Sequence, residues 1–183
     1  MDVVVVIPQG KHSYCLANLA SSSSSPRNVL QEIIWIGEGQ MKINEFIIYF
    51  KGTDKRHHFG TGFAVHKNYE SCVSEFNSIF ERICTIRLRT KLKEICLINI
   101  HAPTKNSDER DKDEFYDEVT RISDRLPGSV IKIVLGDINA KIWKELMFVP
   151  TIGLESVYEG SNDNGQRIIS FAASINLVVS STT

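Results

Sequence analysis

The strongest constraint on this chain is an amphipathic pattern set between two apolar runs. Phe115, Val119, Ile122 and Leu126 fall at i, i+4, i+7 and i+11, so they share one side of a helix predicted from about Ser107 to Leu126. The opposite side is rich in charge, and Pro127-Gly128 ends the pattern. Before the helix, Glu94 to Ile100 is apolar on both faces, as a central, covered strand would be. After it, Val130 to Leu135 reads as a second compact buried strand. In Arg82 to Arg89, Cys84, Ile86 and Leu88 alternate with Thr85, Arg87 and Arg89, the period of a half-buried strand. Both periods in one stretch make this an α/β chain.

The same texture begins at Val29. Ile33, Ile34, Trp35 and Ile36 form an apolar stretch closed by Gly37-Glu38-Gly39, and Lys42 to Phe50 reads as one strand. Gly60-Thr61-Gly62 leads into a short strand at Phe63-Ala64-Val65. Past a loop region reaching about Gly160, Ile168, Phe171, Ala172 and Ile175 outline a short helix, and Leu177-Val178-Val179 begins a final strand. Residues 1–28 differ in character: an aliphatic run from Val3 to Ile7, a Pro8-Gln9-Gly10 break, then serines from Ser21 to Ser25 and Pro26. A serine tract gains little by packing, so this segment is expected to be flexible and to cut Val3 to Ile7 off from the body at 29–183.

With 183 residues, 42% of them hydrophobic, the chain can bury the core of one domain. A net charge of −1 gives no global attraction to a polyanion, so nucleic-acid binding would need a local basic surface. Two candidates are Lys55, Arg56, His57 and His58 before the Gly60-Thr61-Gly62 loop, and the later group Arg82, Arg87, Arg89, Lys91 and Lys93. Charge runs of this kind are more often solvated faces. Cys15, Cys72, Cys84 and Cys96 lack Cys-x-x-Cys spacing, which argues for buried free thiols over a zinc site. The opening run is too short to span a bilayer and lacks the basic start of a signal peptide. The expectation is an intracellular protein of nucleus or cytoplasm, not secreted, with no membrane partner.

Chemistry is most visible at Gly136-Asp137-Ile138-Asn139, where a buried strand ends. Residues two apart in extended chain point the same way, so Asp137 and Asn139 can converge on one ligand. Asp137 can accept a proton or hold an oxygen-loving cation, and Asn139 can donate to a phosphate oxygen as its negative charge grows. The plain alternative is a turn, since Gly, Asp and Asn all favour turns.

Two further segments shift the balance: Leu30-Gln31-Glu32 before an apolar run, and Asn99-Ile100-His101-Ala102-Pro103-Thr104 at the end of the central strand. With these in order, residues 29–183 resemble the endonuclease/exonuclease/phosphatase superfamily, and most closely its LINE-type retrotransposon-derived group, the craniofacial development protein 2-like proteins. The closer match is carried by Leu30 to Gly39, His57 to His66, Ile98 to Thr104, Ile133 to Ala140 and Asn162-Asp163-Asn164-Gly165.

The resemblance implies a four-layer α/β sandwich, two mixed sheets flanked by helices, here incomplete at both ends. It implies that Glu32 binds a magnesium or manganese ion with Asp137 as a further oxygen ligand, and that His101 lies beside the scissile phosphate. Asp137 and Asn139 would orient the attacking water and contact the phosphate, and Asn164 would touch nucleic acid. DNA is the implied substrate, without a small organic cofactor. Each residue has a bland counterpart: a solvated Glu32, a hydrogen-bonded His101 before a proline turn, and a turn and helix start at Asn164-Gly165.

The family also uses a C-terminal Asp-His pair and an asparagine on its first strand. This sequence has His12, His57, His58, His66 and His101 and no later histidine, and residues 1–28 do not match the first strand. The resulting expectation is a metal-dependent phosphodiesterase impaired by those losses, its ion weakly held, with open sheet edges that favour self-association. The competing expectations are a non-catalytic interaction module or decayed retroelement product, and a phosphatase acting on a small phosphorylated molecule.

Overall fold

The computed structural model describes residues 3–8, 29–52, 60–143, 146–149, 151–152 and 159–181. Twelve longer elements follow one another: β1 (Val3–Pro8), β2 (Val29–Ile33), β3 (Glu38–Ile43), β4 (Phe46–Lys51), β5 (Gly60–His66), β6 (Val73–Phe80), β7 (Ile83–Arg89), β8 (Glu94–His101), α1 (Glu109–Arg125), β9 (Ile131–Asp137), α2 (Asp163–Ser174) and β10 (Leu177–Ser181). They build two sheets, a six-stranded one ordered β10-β1-β9-β8-β7-β6 and a four-stranded one ordered β2-β5-β4-β3. The α/β class and the two-sheet sandwich are those expected.

Parallel pairing is found between β8 and β9 in the first sheet, and the second sheet is antiparallel throughout. A parallel pair cannot be closed by a tight turn, and α1 is the crossover that joins these two strands. Asp108 caps the helix by accepting from Arg110 N at 2.9 Å, Glu109 and Asp111 sit in the first turn and Arg125 in the last, each matching the helix dipole. Phe115, Val119 and Ile122 then pack with Ile98, Ile100 and Val134 of the sheet and with Ile168, Ile169 and Phe171 of α2. Between the sheets, Ile47, Tyr49 and Phe63 meet Cys84 and Ile86. On the far side of the second sheet Ile33, Ile48, Phe50 and Ala64 form their own cluster; among the described residues no helix covers that face.

Three expectations about local structure change. Val3–Pro8 is not cut off from the body: it pairs antiparallel with β9 on one side and β10 on the other, because an aliphatic run offers the ladder that both neighbours need. Lys42 to Phe50 is not one strand but parts of two, β3 and β4, joined at Asn44-Glu45, where Asn44 takes φ 53°, a left-handed turn conformation that asparagine tolerates. The basic group at 82–93 is divided, since Arg82 precedes β7 while Arg87 and Arg89 lie near its other end, about 20 Å away for a strand of this length. Arg87 is also neutralised by Glu75 and Glu94, each at 3.1 Å. Lys55, Arg56, His57, His58, the serine tract and Cys15 lie outside the described residues.

Cys84 and Cys96 are fully buried free thiols, while Cys72 is partly exposed. Burial pushes the Cys84 thiol up to about 12 and the Cys96 thiol up to about 11. Since the thiolate is the reactive form, alkylation near pH ~8 should label Cys72 in the native protein and reach Cys84 and Cys96 only after unfolding. Peptide mass mapping before and after denaturation checks this, and early labelling of Cys84 would contradict the packing.

Candidate functional site

The parallel register of β8 and β9 sets His101 opposite Asp137, so the ends of both strands emerge at one edge of the sheet. Beyond them the chain turns sharply. Asp137 Oδ1 accepts from Asn139 N at 2.9 Å, and Asn139, at φ 47°, donates its Nδ2 to Ala102 O at 2.9 Å. One N–H of the Asn139 amide is thereby committed to the protein, and its second N–H and its oxygen remain for a ligand.

The third group comes from the other sheet. Leu30 pairs with Gly62 and Ile33 with Gly60, which leaves Gln31 and Glu32 opposite the single residue Thr61. This is a β-bulge, and Glu32 adopts φ 54° within it. Neighbours in a regular strand point to opposite faces, and the bulge suspends that rule. Gln31 Nε2 donates to Ile100 O at 2.8 Å and lies 3.4 Å from Asn99 Oδ1, while the exposed Glu32 carboxylate acts electrostatically on His101.

Gly136 makes room for this crossing. At φ 135°, a Cβ there would fall 1.9 Å from Ile100 O and 2.6 Å from Gln31 Nε2. Behind it, Asn99 is fully buried and donates its Nδ2 to Leu30 O and Gly62 O, both at 2.9 Å. Asn99 thus fastens the end of β8 to β2 and β5 in the facing sheet.

His101 is 6% exposed. Burial lowers its pKa, the Arg82 guanidinium lowers it further, and the negative charges of Asp137 and Glu32 pull it part of the way back. Arg82 Nη1 donates to His101 O at 3.2 Å and His101 N donates to Arg82 O at 2.9 Å, which fixes the two residues together. Four sequence-derived residues, Glu32, His101, Asp137 and Asn139, therefore share one neighbourhood.

Asn164 is placed differently. It is 1% exposed and donates to Pro103 O at 2.8 Å, Asn139 O at 3.2 Å and Ile138 O at 3.3 Å, so its amide faces the protein and braces the turn beneath Asp137 and Asn139. Asn162 caps α2 through Gly165 N at 2.8 Å and also accepts from Lys141 N at 2.9 Å. Asp163 binds Lys112 at 3.3 Å and Arg167 at 2.9 Å, and Arg167 reaches Glu109 at 2.8 Å, which anchors the start of α2 to α1.

Sequence reasoning did not assign roles to Gln31 or Asn99, and it read Arg82 only as part of a basic group and Asn162 only as part of the Asn162-Asp163-Asn164-Gly165 motif. Gln31 and Asn99 carried a visible signal, since an amide inside an otherwise apolar strand must find partners there.

Glu32 and Asp137 are the oxygen donors here that could take a magnesium ion keeping several of its waters. Among the described residues no group of three or more His, Cys, Asp or Glu side chains is arranged to hold a metal.

Comparison with known proteins gives two matches of the same kind. Over 153 residues the chain is 24% identical to craniofacial development protein 2 of Bos taurus and, equally, to craniofacial development protein 2 of Tragulus javanicus. Each match takes in 84% of this chain and 26% of the relative, so the chain spans about a quarter of the length of the curated relatives it matches. No family model matches. No helix of the described residues is long and apolar enough to cross a membrane.

The bracing role of Asn164 is open to measurement. Asn164→Ala leaves the buried Pro103 and Ile138 carbonyls short of a donor, at a cost of about 1–3 kcal/mol. Hydrogen exchange should quicken across 137–143 while the β4–β5 hairpin keeps its protection. Unchanged exchange in that turn would show that the amide does not hold it.

Proposed function

We propose that this site handles the phosphodiester of a nucleic acid, DNA in the first instance, on the plan of the endonuclease/exonuclease/phosphatase superfamily and its LINE-type branch. The observation that carries this reading is that residues far apart in sequence and on different sheets meet at one edge: the strand register sets Asp137 beside His101, and the Gln31 amide ties the Glu32 bulge to Ile100. Glu32 also occupies a bulge with a left-handed backbone, a strained conformation of the kind that collects at functional sites. The distant likeness to craniofacial development protein 2 is in keeping with the same plan.

Glu32 and Asp137 would hold Mg²⁺ or Mn²⁺, which stabilises the charge that builds on the phosphate and leaving oxygens. The chain's own groups supply the rest. His101, kept below its ordinary pKa by burial and by Arg82, is neutral at physiological pH and can accept a proton from water. Asn139 offers its remaining N–H to a non-bridging phosphate oxygen, and Asp137, already bound to the Asn139 backbone, orients the water. As the water oxygen bonds to phosphorus, its proton passes to the imidazole, the bond to the leaving oxygen breaks, and that oxygen takes a proton from solvent. A base this buried reaches water poorly, so slow turnover is the expectation for these residues alone.

The test is nicking of supercoiled plasmid with Mg²⁺ or Mn²⁺. Glu32→Ala and Asp137→Ala should each lower the rate by about 10²–10⁴. Nicking that survives both substitutions would overturn the assignment. A second reading is a non-catalytic interaction module. It requires a saturable partner whose binding ignores both substitutions.

A further inference from the structure

We propose that Ile34, Trp35 and Ile36 form an apolar ledge on which a nucleobase beside the scissile phosphate packs. The inference rests on the phosphodiester reading above and narrows it to substrates that carry a base. Ile34 is 67% exposed and Ile36 78% exposed, and they flank Trp35 at 37%. Large aliphatic side chains so open to water, two of three consecutive residues, serve nothing in the core.

The ledge is held in place. Trp35 meets the Phe50 ring edge-on at 5.1 Å, and Gly52 N donates to Gly37 O at 2.7 Å, closing the segment against the end of β4. Gly52 leaves no space for a side chain there, because a Cβ would fall 1.5 Å from Trp35 O. Packing on Phe50 accounts for Trp35 but leaves Ile34 and Ile36 facing solvent.

Position then selects the occupant. Ile34 follows Glu32 by two residues, so its Cα lies within about 7 Å of the carboxylate-bearing residue. A nucleotide sets an anionic phosphate and a flat, apolar-faced base within a few ångströms of each other, and stacking on apolar and aromatic side chains tolerates any base. A small phosphorylated polyol has the anion without the apolar face. The pairing of a carboxylate-held cation with an adjoining apolar shelf therefore fits a nucleic-acid strand and not a small phosphate ester.

The sequence contains two tryptophans, Trp35 and Trp143. Trp143→Phe leaves Trp35 as the one indole reporter. With Ca²⁺ as the cation, this variant is titrated with a short single-stranded oligodeoxyadenylate and with the same strand bearing abasic sugars. The ledge predicts a change in Trp35 emission with the base-carrying strand and about tenfold tighter binding of it, about 1.4 kcal/mol. Ile34→Ser with Ile36→Ser should abolish that preference while leaving the affinity for the abasic strand and the melting temperature unchanged. Should the double variant fail to fold, the comparison of the two strands on the Trp143→Phe chain decides alone. Equal affinity for both strands would overturn the ledge and leave the phosphodiester reading standing, whereas no binding of either strand would overturn both.

Discussion

The buried amide of Asn99 is the connection on which the site depends. Two sheets packed face to face by apolar side chains are free to slide, because hydrophobic contact has no direction. Asn99 removes that freedom by donating to Leu30 and Gly62 across the interface, where an unmade bond would carry the desolvation penalty of a polar group away from water. Gln31 repeats the device one step further along, binding the Ile100 carbonyl. Between them, these amides set how far β2 lies from the end of β8, and thus how near Glu32 comes to His101.

Local backbone preference is sacrificed to hold that arrangement. Glu32 and Asn139 both adopt left-handed conformations, and Gly136 takes one that few L side chains tolerate. Conformations of this sort persist when surroundings over-determine them. Here the surroundings are identifiable: the bulge against Thr61 fixes Glu32, the Ala102 and Asn164 contacts fix Asn139, and the Gln31 amide occupies the space beside Gly136.

Much of this was legible in the sequence where one period dominated. The α1 face of Phe115, Val119 and Ile122 and the covered strands on either side were readable because burial repeats there at fixed spacing. The β3–β4 hairpin was hidden because Asn44-Glu45 lacks the glycine that usually marks so tight a turn. β6 was hidden because two register shifts break its alternation. At the site, Asp137 and Asn139 could be read from local chemistry, whereas Glu32 and His101 were named through family resemblance, since a bulge leaves no periodic trace. The polar motif Asn162-Asp163-Asn164-Gly165 was visible as a helix start, and its inward-facing Asn164 followed from contacts no linear spacing encodes.

The place of β1 between β9 and β10 has a consequence for assembly. The earliest strand of this sequence lies against its latest, so the sheet that carries Asp137 cannot close until nearly the whole stretch has been made. Loop closure over such a separation is entropically slow, and topologies dominated by distant pairing fold slowly. During that interval β9 presents an unsatisfied ladder to any extended chain nearby. The same long-range pairing that completes the sheet thus makes the nascent polypeptide dependent on protection from its neighbours.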